Sequence, residues 1–246
     1  MVSTMFLAAA EAEKSGGTLA EKLVEKMDLN TVFEIPIFGG IPVKESIVVS
    51  WIVIAFLGLL AFLLTRGFRA TNISKRQPFF EFAVTWLQDL VKNMIGEEGV
   101  KYVPYLVTVL LYIGCSNIAG LFGFKPPTKD LMVTAALAIM SIVLVEAAGI
   151  KHKGVLKWAK GFAEPIWIIF PINIMEIAIR PLSLCMRLFG NVLGAFVIME
   201  MIDILIPVGI PLVFSFYFDL FDGLLQAYVF VFLTSLYIKE IIEMEE

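Results

Sequence analysis

Ser46 to Thr65 is an unbroken run of uncharged residues bounded by Glu45 and Arg66. At about 1.5 Å per residue it is long enough to cross roughly 30 Å of hydrocarbon as a helix. A backbone in hydrocarbon must satisfy every N–H and C=O internally, so a run of this kind is a helix. Tyr102 to Phe124 is a second such stretch, and Leu131 to Ile150 a third, broken only near its end by Glu146. Hydrophobic residues make up 59% of the chain, well above the roughly 45–50% of a soluble domain. The chain therefore reads as an integral membrane protein. Its net charge of −4 is spread along the sequence, which excludes a nucleic-acid surface or a polybasic membrane patch.

Beyond Ile150 the chain stays apolar but carries single charges, among them Glu164, Glu176, Arg180, Arg187, Glu200, Asp203, Asp219 and Asp222. Pro207-Val-Gly-Ile-Pro211 is a turn signal. It divides this half into a helix ending near Ile206 and another from about Leu212 to Ile238, a hairpin with limbs long enough to be tilted in a bilayer. Phe79 to Ile95 shows helical amphipathicity, with Glu81, Thr85, Gln88, Asp89 and Lys92 on one face. Pro78 and Gly96 bound it, and the reading is a helix lying flat on the interface. Leu19 to Met27 is a shorter amphipathic segment. The expected fold class is an all-α membrane protein with about five crossing helices. Its organisation is an extracytoplasmic segment over 1–45, a first transmembrane region over 46–150 containing the interfacial helix 78–96, and an ion-translocating region over 151–246. Arg66, Arg69, Lys75, Arg76, Lys92 and Lys101 on one side, and Lys151, Lys153, Lys157 and Lys160 in a second loop, place both basic loops in the cytoplasm. With five crossings the N-terminus is then outside and the C-terminus inside. The short apolar run Met5 to Ala10 has no basic residue before it and is not expected to be a secretory signal. Cys115 and Cys185 lie in apolar stretches, where a small buried hydrophobe is the usual role.

The chemistry concentrates around Arg187. A permanent charge among apolar residues costs at least a few kcal/mol in a membrane segment and is kept where it pairs or lines an ion path. On a helix Ser183, Arg187, Gly190, Asn191 and Gly194 share one face. Small residues at this spacing also suit simple helix packing, but packing alone has no use for a guanidinium. Asp219, Asp222, Gly223 and Gln226 repeat the arrangement in the last helix. Asp219 and Asp222 are candidate relay carboxylates, and Glu200 and Asp203 are candidates for an outer entrance. Glu176 and Arg180, four residues apart, are an expected ion pair. No zinc-ligand spacing, phosphate loop or nucleophile elbow is present, so no cofactor, metal or catalysis on a soluble substrate is expected. The two halves show no internal repeat of the kind common in secondary transporters.

Arg180-Pro-Leu-Ser-Leu-Cys-Met-Arg-Leu-Phe-Gly-Asn191, followed by Gln226-Ala227, resembles subunit a of the F-type ATP synthase family. The likeness extends more loosely to Asn117 and to Pro126-Pro-Thr-Lys-Asp-Leu-Met-Val-Thr134. The resemblance implies a membrane stator subunit with no nucleotide site and no enzyme activity of its own. It sits in the bacterial inner membrane beside a ring of c subunits and the peripheral-stalk b subunits, and carries H⁺ or Na⁺ through two half-channels. It makes Arg187 the charge that faces the ring carboxylates, with Asn191 and Gln226 along the same path. This chain has Phe196 where some members carry a glutamate, with Glu200 one turn later, and Asp219 where some carry a histidine. From the residues alone, a self-contained channel or transporter using Arg187 as a counter-ion site is the alternative, and a structural scaffold the third.

Overall fold

A computed structural model describes residues 31–35, 41–66, 77–122, 124, 126–161, 170–205 and 214–243. The amphipathic segment Leu19 to Met27 and the Pro207–Pro211 turn lie outside the described residues.

Among the described residues five helices are long and apolar enough to cross a membrane, as the hydropathy implies. They are α1 (Glu45–Thr65), α3 (Val103–Ile118, extended by 3-10 turns at both ends), α4 (Leu131–Lys153), α6 (Phe170–Leu205) and α7 (Gly223–Glu243). The amphipathic helix α2 (Gln77–Ile95) falls where its periodicity puts it. With 36 residues, α6 is about 54 Å long. That exceeds the hydrocarbon thickness, so it must run obliquely or project into the interface.

Three features depart from the sequence reading. Strands β1 (Thr31–Ile35) and β2 (Ile41–Lys44) form an antiparallel hairpin, with Phe33 opposite Val43, directly before α1. The basic segment after Ile150, read as a loop, is helical except for a break at Gly154, and continues as α5 (Val155–Gly161). The last helix is preceded by a π-helical stretch, Phe216–Asp222. Such a stretch takes more residues per turn than an α-helix.

The core forms where α3, α4, α6 and α7 meet, around Leu106, Ile113, Val145, Leu188, Phe230 and Ile238. The inward face of α2, ending in Val91 and Ile95, closes one end of it. Two glycines permit the close approach of α7 to its neighbours. A Cβ on Gly223 would meet the Cβ of Asn117 at 2.7 Å, and one on Gly149 would run into Ile241. Helices α6 and α7 each pack more extensively on α4 than on each other. Helix α1 is buried only in its first half, at Ser46, Val49 and Val53. Ile54, Phe56, Leu59, Phe62 and Leu63 beyond it are exposed, as expected for side chains that face lipid.

The connection between α3 and α4 is more than a turn. Thr128, Lys129 and Asp130 are all buried, and each reaches a different helix. Thr128 Oγ1 donates to Asn117 Oδ1 at 2.8 Å. Lys129 Nζ lies over the Phe196 ring of α6, 3.1 Å from its centroid. Asp130 caps α4 by accepting from the Met132 N–H at 3.0 Å and takes a second bond from Ser46 Oγ of α1 at 2.8 Å, with Lys44 Nζ 3.8 Å away. Buried polar groups must be paired to be tolerated. Here the pairing ties α1, α3 and α6 to one short segment.

Candidate functional site

Along α6 the buried positions Leu184, Cys185 and Leu188 define the side that faces the core. Arg187, Gly190 and Asn191 are exposed on the opposite side, with Ser183 and Gly194 partly buried at its margins. The polar, small-residue face inferred from spacing therefore exists and is exposed at Arg187, Gly190 and Asn191. Gly190 and Gly194 have nothing within 4 Å of a notional Cβ, so their small size serves no packing among the described residues. Among the described residues Arg187 has no hydrogen-bond or ion-pair partner, and the same helix also exposes the apolar side chains of Ile179, Leu182, Met186 and Ile198. A permanent charge on such an apolar helix is costly unless it is paired or hydrated.

Helix α7 contributes Gln226, which is buried but touches this face through one contact. Asn191 Nδ2 donates to Gln226 Oε1 at 2.7 Å. The Gln226 Nε2 group is buried without a partner among the described residues. Asp222, at the end of the π-helical stretch, is partly buried. Asp219 lies in the same stretch and Glu200 and Asp203 in the last turns of α6, and the side chains of all three are outside the described residues. Asn117 is buried and uses both ends of its amide. Its Oδ1 accepts from Thr128, and its Nδ2 donates to the Gly223 carbonyl at 2.9 Å. It thus holds the junction where the π-helical stretch becomes α-helical.

Arg180, two turns before Arg187, is fully engaged. Its Nη2 donates to Glu176 Oε1 and to Glu240 Oε1, each at 2.9 Å, and its guanidinium lies 5.0 Å from the Tyr237 ring centroid. The expected Glu176–Arg180 pair is present and has a third charged member. Glu240 and Tyr237 were not singled out from sequence, because both lie near a charged terminus where an acidic residue usually marks the end of a span. The available signal was that Tyr237 lies eleven and Glu240 fourteen residues after Gln226, which returns them near its face. Glu146, the one carboxylate within α4, accepts a hydrogen bond from the Trp158 indole at 3.0 Å. The two cysteines are free.

The family model described as ATP synthase A chain matches residues 47–239. A protein named ATP synthase subunit a from Moorella thermoacetica is 34% identical over 206 residues, covering 83% of this chain and 93% of its own. One from Propionigenium modestum, named ATP synthase subunit a, sodium ion specific, is 32% identical over 216 residues, covering 81% of this chain and 74% of its own. ATP synthase subunit a 1 of Prosthecochloris aestuarii is 32% identical over 203 residues, covering 82% of this chain and 91% of its own.

Proposed function

The chain belongs to the ATP synthase A chain family, and we propose that it is the ion-translocating stator subunit, forming two half-channels for H⁺ or Na⁺ against a c-ring and coupling ion flow to rotation. The observation that carries this reading is Arg187, exposed and without a partner among the described residues, beside Gly190, whose lack of a side chain lets a neighbouring helix come close. A ring carboxylate arriving from lipid meets the guanidinium, and the opposite charge favours its ionised form, so that the ion departs to the exit path. The pair must then break for rotation to continue. Asn191 and Gln226 supply neutral dipoles at the same level, and with water they keep the attraction well below that of a dry ion pair. The same positive charge repels a cation that would pass directly from one half-channel to the other. Arginine suits this task because it stays protonated where a lysine can lose its proton.

Asp219, Asp222 and Glu200 are assigned to the outer half-channel, Glu176 to the inner end and Ser183 to the margin of the Arg187 face. Asn117 supports the outer half by holding Gly223 in place. The basic residues from Arg66 to Lys101 put their side of the bundle in the cytoplasm. On α2 the exposed stripe Phe79, Phe82 and Trp86 faces lipid at the interface, and the exposed half of α1 faces lipid or the b subunits.

Reconstitution tests the reading. Liposomes containing the purified chain alone should show negligible ion flux, whereas liposomes containing it with c-ring and b subunits should conduct. Flux through the chain alone would instead make it a self-contained channel.

A further inference from the structure

Polar bridges join α6 to α7 on either side of Arg187, which lies in the window between them. One is Asn191 to Gln226. The other is Arg180 to Glu240, reinforced by Tyr237. The helices run antiparallel, so residues eleven before Asn191 and eleven after Gln226 lie at one level, which is where Arg180 and Tyr237 meet. Because α6 and α7 pack more on α4 than on each other, these bridges bear on the distance between the two helices on the Arg187 side. Arg180 also lies where α6 is weakest. Pro181 has no N–H to give to the Ile177 carbonyl, so that turn lacks one backbone bond. The Glu176–Arg180 contact spans the same turn and braces it.

The burial pattern fits a clamp better than an ordinary surface pair. The Arg180 side chain is only 11% exposed, while Glu176 and Glu240 are 51% and 42% exposed. A single guanidinium nitrogen, Nη2, is shared between two carboxylates on different helices, and an aromatic face covers the group. We infer that Arg180 is a positioning residue, which with Glu240 and Tyr237 clamps α6 to α7 at the inner end and so fixes the width of the window from which Arg187 meets the ring. Loosening the clamp lets the helices part on that side. Water and ions can then pass Arg187 without turning the ring, so the expected defect is slip and not arrest. The inference rests on the stator reading above.

The test uses the whole assembled ATP synthase in inverted membrane vesicles. It compares wild type, Glu240→Gln, Arg180→Gln, the exchange Arg180→Glu with Glu240→Arg, and Arg187→Ala, each normalised to the amount of assembled complex. Glu240→Gln and Arg180→Gln should lower ions pumped per ATP hydrolysed by about two- to fivefold, the scale of a partly exposed charge pair. They should also raise passive leak after the catalytic head is stripped. The exchange, which keeps one cation and two carboxylates at the site, should restore at least half of the coupling. A purely structural pair would lower the yield of complex and leave the ratio of ions to ATP unchanged. A wild-type ratio in Glu240→Gln, or an exchange that restores nothing, overturns the clamp. So does loss of assembly in Glu240→Gln, where Arg180 keeps Glu176, because the trio would then belong to the fold. Arg187→Ala separates the two levels: normal pumping there removes the stator reading itself, whereas lost pumping there with a normal Glu240→Gln removes the clamp alone.

Discussion

Asn191 and Gln226 meet across α6 and α7, the Asn191 amide donating to the Gln226 carbonyl oxygen at 2.7 Å. The contact joins an exposed residue to a buried one, so Gln226 acts on the Arg187 face mainly through Asn191. It also fixes how the two helices are phased, since Arg187 lies one turn from Asn191 on the same face.

Gln226→Leu should therefore reduce coupled pumping by about three- to tenfold, corresponding to one neutral hydrogen bond of roughly 1 kcal/mol. Arg187→Ala should abolish it. Pumping rates in vesicles with matched amounts of complex measure both, and equal losses would contradict the ranking.

Gly190→Leu separates folding from function. The site has open space around it, and replacing a mid-helix glycine favours the helix by up to about 1 kcal/mol. The isolated subunit should thus be as stable as wild type or slightly more so. A leucine beside Arg187 should nonetheless keep the ring at a distance and reduce pumping severely. Thermal unfolding in detergent and vesicle pumping, measured on the same preparation, give the two readouts. Normal pumping would show that the ring does not approach this face.

Asn117→Ala should destabilise the subunit by about 1–3 kcal/mol, because it leaves the buried Thr128 hydroxyl and the Gly223 carbonyl without their partner. Gly223→Ala should cost a similar amount for a different reason, since its Cβ would sit 2.7 Å from the stiff Cβ of Asn117. Combined, the two changes should cost less than their sum, because truncating Asn117 reduces the crowding at residue 223. Strict additivity in detergent unfolding would argue against this contact.

The spans were legible because hydrocarbon leaves a helix little alternative, and α1, α3 and α4 end within a few residues of the flanking charges. The Arg187 face was legible because helical spacing alone brings Arg187, Gly190 and Asn191 together. The π-helical stretch before α7 was not, because nothing local in Phe216 to Asp222 specifies the wider turn. The burial of Thr128, Lys129 and Asp130 was not legible, because short polar runs are usually exposed turns and these residues are buried by partners that include Ser46, 84 residues away. The β-hairpin did leave a trace in the alternation of Thr31 to Ile35 and in Gly39-Gly40, a common hairpin signal. It reads only as part of the extracytoplasmic segment over 1–45, because the apolar periodicity that marks the spans begins after it.

The central claim is that the guanidinium of Arg187 is the ring-facing charge. Its most direct test is ATP-driven ion pumping in inverted vesicles, comparing wild type with Arg187→Lys at equal complex content, with and without Na⁺. The account predicts that Arg187→Lys loses coupled pumping while the complex remains intact, and Na⁺ dependence of the wild-type rate identifies the ion. Undiminished pumping with lysine in place would contradict it, because a charge that can be exchanged for a flexible, deprotonatable amine is not the one that the mechanism requires.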